Sequence, residues 1–181
     1  MNSTKFEIEG LVLIEPRRFH DDRGYFFESF NEQKYSELLG EEAVFVQDNV
    51  SYSKKNVLRG LHFQLPPFAQ GKLVSVLKGK VLDVAVDLRK DSSTYGQHEI
   101  VELSAENGLQ FYIPPGFAHG FVALEEGTLF SYKCTNYYSP THEETLLWND
   151  SKLSIDWNCS EPLVSEKDKI GKLFDTFVSP F

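Results

Sequence analysis

Cysteine is scarce in this chain. Only Cys134 and Cys159 occur, at no metal-ligand spacing and in no disulfide framework. Reduced thiols in a cytoplasmic protein are the simplest reading of the pair. No apolar run approaches the roughly 20 residues of a membrane span. The opening Met1-Asn2-Ser3-Thr4-Lys5-Phe6 lacks the apolar core of a secretory leader, and no membrane partner is expected. A basic stripe is missing too: 18 Lys and Arg stand against 27 Asp and Glu, a net charge of −9. That balance argues against nucleic acid as a partner. An anionic ligand would have to be held by a few local cations against the overall field. No repeat, low-complexity stretch or linker interrupts the 181 residues, so a single domain over 1–181 with a sizeable core is expected.

Aromatic residues are plentiful, with 15 Phe, 8 Tyr and 2 Trp. They suit core and interface, and some could stack on a flat ligand. Short apolar runs broken by turn residues dominate the chain. Residues 11–15 close at Pro16, residues 24–30 alternate aromatic and polar, and residues 73–77 end at Lys78-Gly79-Lys80, which reads as a hairpin turn into 81–88. Further runs cover 99–103, 110–113, 121–124 and 128–134, the last two parted by Glu125-Glu126-Gly127. Strands at roughly ten-residue spacing indicate a sandwich or barrel. Helix signals are few. Asn31 is placed to cap 31–39 with Gly40 as the stop, and Ser165 followed by Asp168 looks like a capping box.

Chemistry concentrates at Leu58-Arg59-Gly60-Leu61-His62-Phe63-Gln64. Histidine titrates near neutrality and can take and return a proton. Arginine keeps its charge and grips carboxylate or phosphate in a fork. His62 with Arg59 therefore suggests proton chemistry on an anionic substrate. From the heptapeptide alone, a structural histidine beside a surface arginine stands as the equal alternative.

Gly108, five residues, Pro114-Pro115-Gly116, two residues and His119 resemble the second motif of the cupin superfamily, a jelly-roll barrel that is mostly β with a few short helices. In metal-binding cupins such a histidine is a ligand, partnered by a His-x-His pair and a Glu from a first motif. Here the position two after His62 is Gln64. His62, His119 and a carboxylate could still form a facial triad, but the missing pair points to metal-free acid–base work, with no metal and no cofactor required.

The match is closer than superfamily level. Residues 47–53 with 57–64, Gly71-Lys72-Leu73-Val74, residues 81–89, residues 113–121, Tyr132-Lys133-Cys134-Thr135 with Tyr137-Tyr138, and Ser165-Glu166-Lys167-Asp168 resemble, in order, the dTDP-4-dehydrorhamnose 3,5-epimerases. The resemblance runs from Phe6 to about Asp168; the last dozen residues carry no readable signal. It implies action on dTDP-4-keto-6-deoxy-D-glucose in dTDP-L-rhamnose synthesis. Inversion beside a ketone needs a base, a stabiliser for the enolate oxygen, and an acid on the opposite face. His62 suits the base. By resemblance Asp168 is its orienting carboxylate, set against the reading of Asp168 as a helix cap only. Lys72 suits the enolate, against the reading of a solvated strand-end lysine. Tyr132 suits the acid, against an ordinary core tyrosine. Asp83 shares a phase with Val81 and Ala85 and could pair with Lys72.

Arg59 and Arg23 can pair with the diphosphate. By resemblance Lys167 and His119 contact substrate, Gln47, Asp48, Asn49, Glu28 and Glu143 fit polar contacts, and Phe26 and Tyr138 pack on the thymine ring. In the family Arg23, Phe26 and Glu28 lie on an N-terminal strand that crosses to the neighbouring subunit. That implies a homodimer whose sites are completed in trans, with about residues 1–30 at the interface. Alternatives are an epimerase of C3 or C5 alone, a different nucleotide base, a silent nucleotide-sugar-binding cupin, and a metal-dependent cupin dioxygenase.

Overall fold

The computed structural model describes residues 1–40 and 43–181. Strands β1 (Asn2–Lys5), β2 (Val12–Glu15), β3 (Arg18–Asp21) and β4 (Gly24–Phe27) precede helix α1 (Glu32–Leu39). Then come β5 (Gln47–Ser53), β6 (Val57–Gln64), β7 (Lys72–Lys78), β8 (Lys80–Asp87) and β9 (His98–Ser104). Strands β10 (Gln110–Ile113), β11 (Phe117–Ala123), β12 (Thr128–Cys134), β13 (Glu143–Thr145) and β14 (Leu163–Val164) follow, then helix α2 (Glu166–Lys169) and a 3-10 turn at Phe174–Thr176.

One sheet runs β1-β2-β10-β7-β12-β5. The other runs β13-β6-β11-β8-β9, with β14 parallel to β6. They face each other as a cupin jelly roll. The two-residue period of a strand sends alternate side chains to opposite faces. On β8, Val81 and Ala85 join the cluster between the sheets, with Val74 and Val76 from β7 and Phe111 and Phe130 from β10 and β12. Val84 and Val86, in the other phase, meet a second cluster on the outer face. Phe111 and Phe130 are fully buried, and each such ring contributes roughly 1.5–3 kcal/mol.

The turn at Lys78-Gly79-Lys80 is not a hairpin. Strands β7 and β8 belong to different sheets, and Gly79, at φ 81°, carries the chain across. A Cβ there would lie 2.5 Å from Thr128 Oγ1, so the tight crossing needs glycine. The Glu125-Glu126-Gly127 turn crosses between sheets in the same way, since β11 and β12 are also in different sheets. The aromatic run at 24–30 is strand only over β4, which pairs with β3 in a two-stranded ribbon outside both sheets.

Helix α1 starts where expected: Asn31 Oδ1 accepts the Lys34 N–H at 3.3 Å, and the Gly40 N–H bonds Ser36 O. Its buried Tyr35 packs on Val12, Ile14, Leu73 and Tyr112, which covers the outer face of the first sheet. The C-terminal residues that gave no signal cover the second sheet. Phe177 and Phe181 pack against Phe63, and the Ser179 hydroxyl donates to Leu88 O.

Candidate active site

A cavity of about 420 Å³ opens between the sheets. The strand register sets its walls. On the second sheet, His62 of β6 and His119 of β11 are direct cross-strand partners. On the first, Cys134 of β12 lies between Gln47 of β5 and Lys72 of β7, and Tyr132 lies across from Asn49. All seven side chains line the cavity, so imidazoles face a phenol and an ammonium. Glycines allow β6 and β11 to approach. A Cβ on Gly60 would stand 2.6 Å from Gly120 Cα, and the register shifts between His119 and Phe121.

His62 Nε2 lies 2.6 Å from Asp168 Oδ1. The carboxylate side chain is 4% exposed and the imidazole 28%. Burial pushes the Asp168 carboxyl up, but the His62 contact, helped by Ser165 and the Gly60 amide, outweighs it and holds the group below the ordinary carboxylate value. The cap reading and the pairing reading both hold, through different atoms: the Asp168 backbone N–H donates to Ser165 Oγ at 3.2 Å while the side chain meets His62. An ionised Asp168 accepts Nε2–H and leaves the basic lone pair on Nδ1.

Asp83 does face inward, with no exposed surface. Its hydrogen-bond partner, however, is His119 and not Lys72. Both carboxylate oxygens lie 2.9–3.0 Å from His119 Nε2, because β8 and β11 are adjacent whereas Lys72 stands on the opposite sheet. Lys72 reaches Asp83 only through its charge. Burial pushes Asp83 up and His119 down, against their mutual attraction. It also pushes the Lys72 ammonium down and the Tyr132 phenol and Cys134 thiol up.

At the rim, the Tyr138 hydroxyl donates to Glu143 Oε2 at 2.7 Å, and Lys167 forms an ion pair with the same carboxylate. Burial raises the Glu143 carboxyl, yet the Lys167 and Tyr138 contacts prevail and hold it low. Arg59 lines the cavity, its guanidinium donating to Ser53 Oγ at 3.2 Å and Tyr52 O at 3.0 Å.

Six of the sequence-named site residues do not line this cavity. Two of them touch residues that do, Asp168 behind His62 and Lys167 against Glu143; the other four stand away from it. Asp48 alternates away from Gln47 and Asn49 and pairs with Lys133 at 2.8 Å. Arg23 pairs with Asp21, Glu28 with Lys34, and Phe26 is 70% exposed on the ribbon. Conversely, Gln64, Gln70, Phe121, Phe130 and Cys134 line the cavity without having been assigned to it. The two-residue period gave a usable signal for some. Gln64 is in phase with His62, and Phe130 and Cys134 with Tyr132. Among the described residues, no three His, Cys, Asp or Glu side chains converge as a metal set.

The family model described as dTDP-4-dehydrorhamnose 3,5-epimerase matches residues 5–176. The enzyme of that name from Salmonella typhimurium is 55% identical over 172 residues, 94% of each chain. The structure of dTDP-6-deoxy-D-glucose-3,5-epimerase RmlC from Legionella pneumophila Philadelphia 1, in complex with dTDP-4-keto-L-rhamnose, is similar at TM-score 0.94 and 49% identity, covering 98% of this chain and 94% of that one. That of the 3'-monoepimerase ChmJ from Streptomyces bikiniensis, in complex with dTDP-quinovose, is similar at TM-score 0.89 and 32% identity, covering 94% and 87%. Fold and cavity thus define a jelly-roll carbohydrate epimerase. Within that class, the chain belongs to the dTDP-4-dehydrorhamnose 3,5-epimerase family.

Proposed function

We propose that this chain converts dTDP-4-keto-6-deoxy-D-glucose to dTDP-4-keto-L-rhamnose, with His62 as base and Tyr132 as acid. His62 Nδ1 takes the C3 proton. The C–H electron pair moves into a C3–C4 double bond and the carbonyl pair onto the C4 oxygen. Lys72 faces that enolate oxygen, where a fixed cation in a partly dry cavity is worth more than in water. Tyr132 then returns a proton to the other face of C3, the enolate pair closing the new C–H bond. Proton exchange with water returns His62 to the neutral imidazole and Tyr132 to the phenol, and the sequence then repeats at C5 through a C4–C5 enolate. Asp168 orients the imidazole and supports the imidazolium. The observation that carries this reading is the His62–Asp168 pair on one wall of a cavity whose opposite wall bears Tyr132 and Lys72.

Arg59, Lys167 and His119 hold the diphosphate and sugar in this reading, Gln47, Asn49 and Glu143 add polar contacts, and Tyr138 stacks on thymine. The whole span 1–181 serves as one catalytic domain in the cytoplasm. Arg23, Phe26 and Glu28 act in the cavity of a second copy. The support is an exposed aromatic ribbon, with Phe19 and Tyr25 each 51% exposed and Phe26 70%, in a chain whose own cavity these residues do not line. A sedimentation measurement finding only single chains would remove the trans arrangement.

His62→Ala tests the base assignment. It abolishes exchange of the substrate C3 proton with deuterated water, followed by NMR, while dTDP binding by calorimetry is retained. Substantial residual exchange removes His62 from its role.

A further inference from the structure

Gln64 occupies the place where a metal-binding cupin would carry the second histidine of its first motif. It is buried, 4% exposed, and it lines the cavity. Its amide nevertheless bonds toward the protein. Nε2 donates to Phe68 O at 2.7 Å and to Tyr137 O at 3.1 Å, and Oε1 accepts the Ser139 N–H at 2.7 Å. Both amide hydrogens are thereby engaged, and only one acceptor lone pair is left for a ligand. Tyr137 and Ser139 flank Tyr138, whose own N–H donates to Gln47 Oε1 at 2.9 Å. Glutamines from the two facing sheets thus grip three consecutive backbone positions of the rim segment that carries the aromatic ring.

We infer that Gln64 is a positioning residue for nucleotide-base recognition, acting through Tyr138. A stacking side chain contributes only if its plane is already set when the base arrives, since ordering a loop on binding subtracts from affinity. Tyr138 is 53% exposed and follows the exposed Tyr137, so side-chain packing fixes it little. Its hydroxyl is tethered to Glu143 Oε2 at 2.7 Å, and the grip from Gln64, with that from Gln47, sets the backbone from which the ring projects. Gln64 thereby fastens the nucleotide end of the site to β6, two residues from His62. The inference rests on the reading of Tyr138 as the stacking residue.

The test is a double-mutant cycle on the full chain with Gln64→Met, Tyr138→Ala and the pair, read as dTDP affinity by calorimetry and as KM and kcat on dTDP-4-keto-6-deoxy-D-glucose. Tyr138→Ala is expected to weaken dTDP about tenfold, the order that loss of one base–aromatic stack produces. Gln64→Met should raise KM and the dTDP dissociation constant by a similar factor, leave kcat within about threefold, and add nothing on top of Tyr138→Ala. If Tyr138→Ala leaves dTDP affinity unchanged, the stacking reading fails. If it weakens dTDP but Gln64→Met does not, or the two effects add in full, the positioning role of Gln64 is overturned. Should Gln64→Met not fold, Gln64→Asn, which keeps the amide but is one methylene too short to span both carbonyls, reads the same cycle.

Discussion

Replacing Asp168 with asparagine removes one negative charge and almost no volume. The Asp168 backbone N–H that caps α2 through Ser165 Oγ is untouched, so the helix stays in place. The loss falls on His62, whose Nε2 sits 2.6 Å from the carboxylate. When the imidazole takes the substrate proton, it becomes a cation with no counter-charge behind it. Two unit charges about 4 Å apart attract by about 4 kcal/mol at an effective dielectric near 20. The ring is 28% exposed, so solvent screens part of this, leaving a loss of about 2–3 kcal/mol. At 1.36 kcal/mol per decade of rate, kcat should fall roughly 30- to 160-fold. Asp168 does not line the cavity, so KM should change little. The assay is the initial rate of epimerisation under saturating substrate, with thermal unfolding as the control for an intact fold. A kcat within about threefold of the parent enzyme would refute the argument that Asp168 supports the imidazolium.

Tyr132→Phe removes the acid but leaves the base on the other wall. The C3 proton should still exchange with deuterated water, while net inversion falls by at least about tenfold, seen as label without change of configuration by NMR. Equal loss of both would mean that Tyr132 is needed for deprotonation as well. A separate prediction concerns stability. Asp87 is fully buried. Burial alone would raise its carboxyl, but Arg89, Thr94 and Ser92 together hold it down at about 2, against an ordinary 3.8. A carboxyl lowered in the folded state stabilises the fold above its unfolded value, and that contribution is lost as pH falls through the folded value. The shift corresponds to about 2 kcal/mol. Asp87→Asn should therefore cost about 2 kcal/mol at pH 7 in denaturant unfolding, and the gap to the parent should close between about pH 4 and pH 2. A gap independent of pH would show that the Asp87 charge is not what is lost.

Much of this molecule was legible in its residues, and the exceptions share a cause. Strands β10 and β12 begin and end where their apolar runs do, because their inward phase is filled by large residues such as Phe111 and Phe130. At Gly79 the sequence points to a hairpin and the structure has a crossing, because a turn residue reports local geometry, not which sheet the next strand joins. Strand β5 was legible only as a family motif: Gln47, Asp48 and Asn49 line or skirt a cavity rather than fill a core, so hydrophobic periodicity has nothing to register. The phase of Asp83 with Val81 and Ala85 left open which way it faces and what it pairs with; its partner depends on strand order, and β8 lies beside β11 and across from β7. Residues 174–181 gave no signal although Phe174, Phe177 and Phe181 keep a helical spacing, because the span is too short for a helix and is broken by Pro180. After the 3-10 turn at Phe174–Thr176 they cover a sheet face as irregular chain.

The central claim is that one cavity addresses two carbon centres, removing each proton from one wall and returning it from the other. Incubating the unmodified enzyme with dTDP-4-keto-6-deoxy-D-glucose in deuterated water, and following the sugar by NMR, tests it most directly. The account predicts deuterium at both C3 and C5, with inverted configuration at each. Deuterium at a single carbon, or inversion without incorporation, would contradict it.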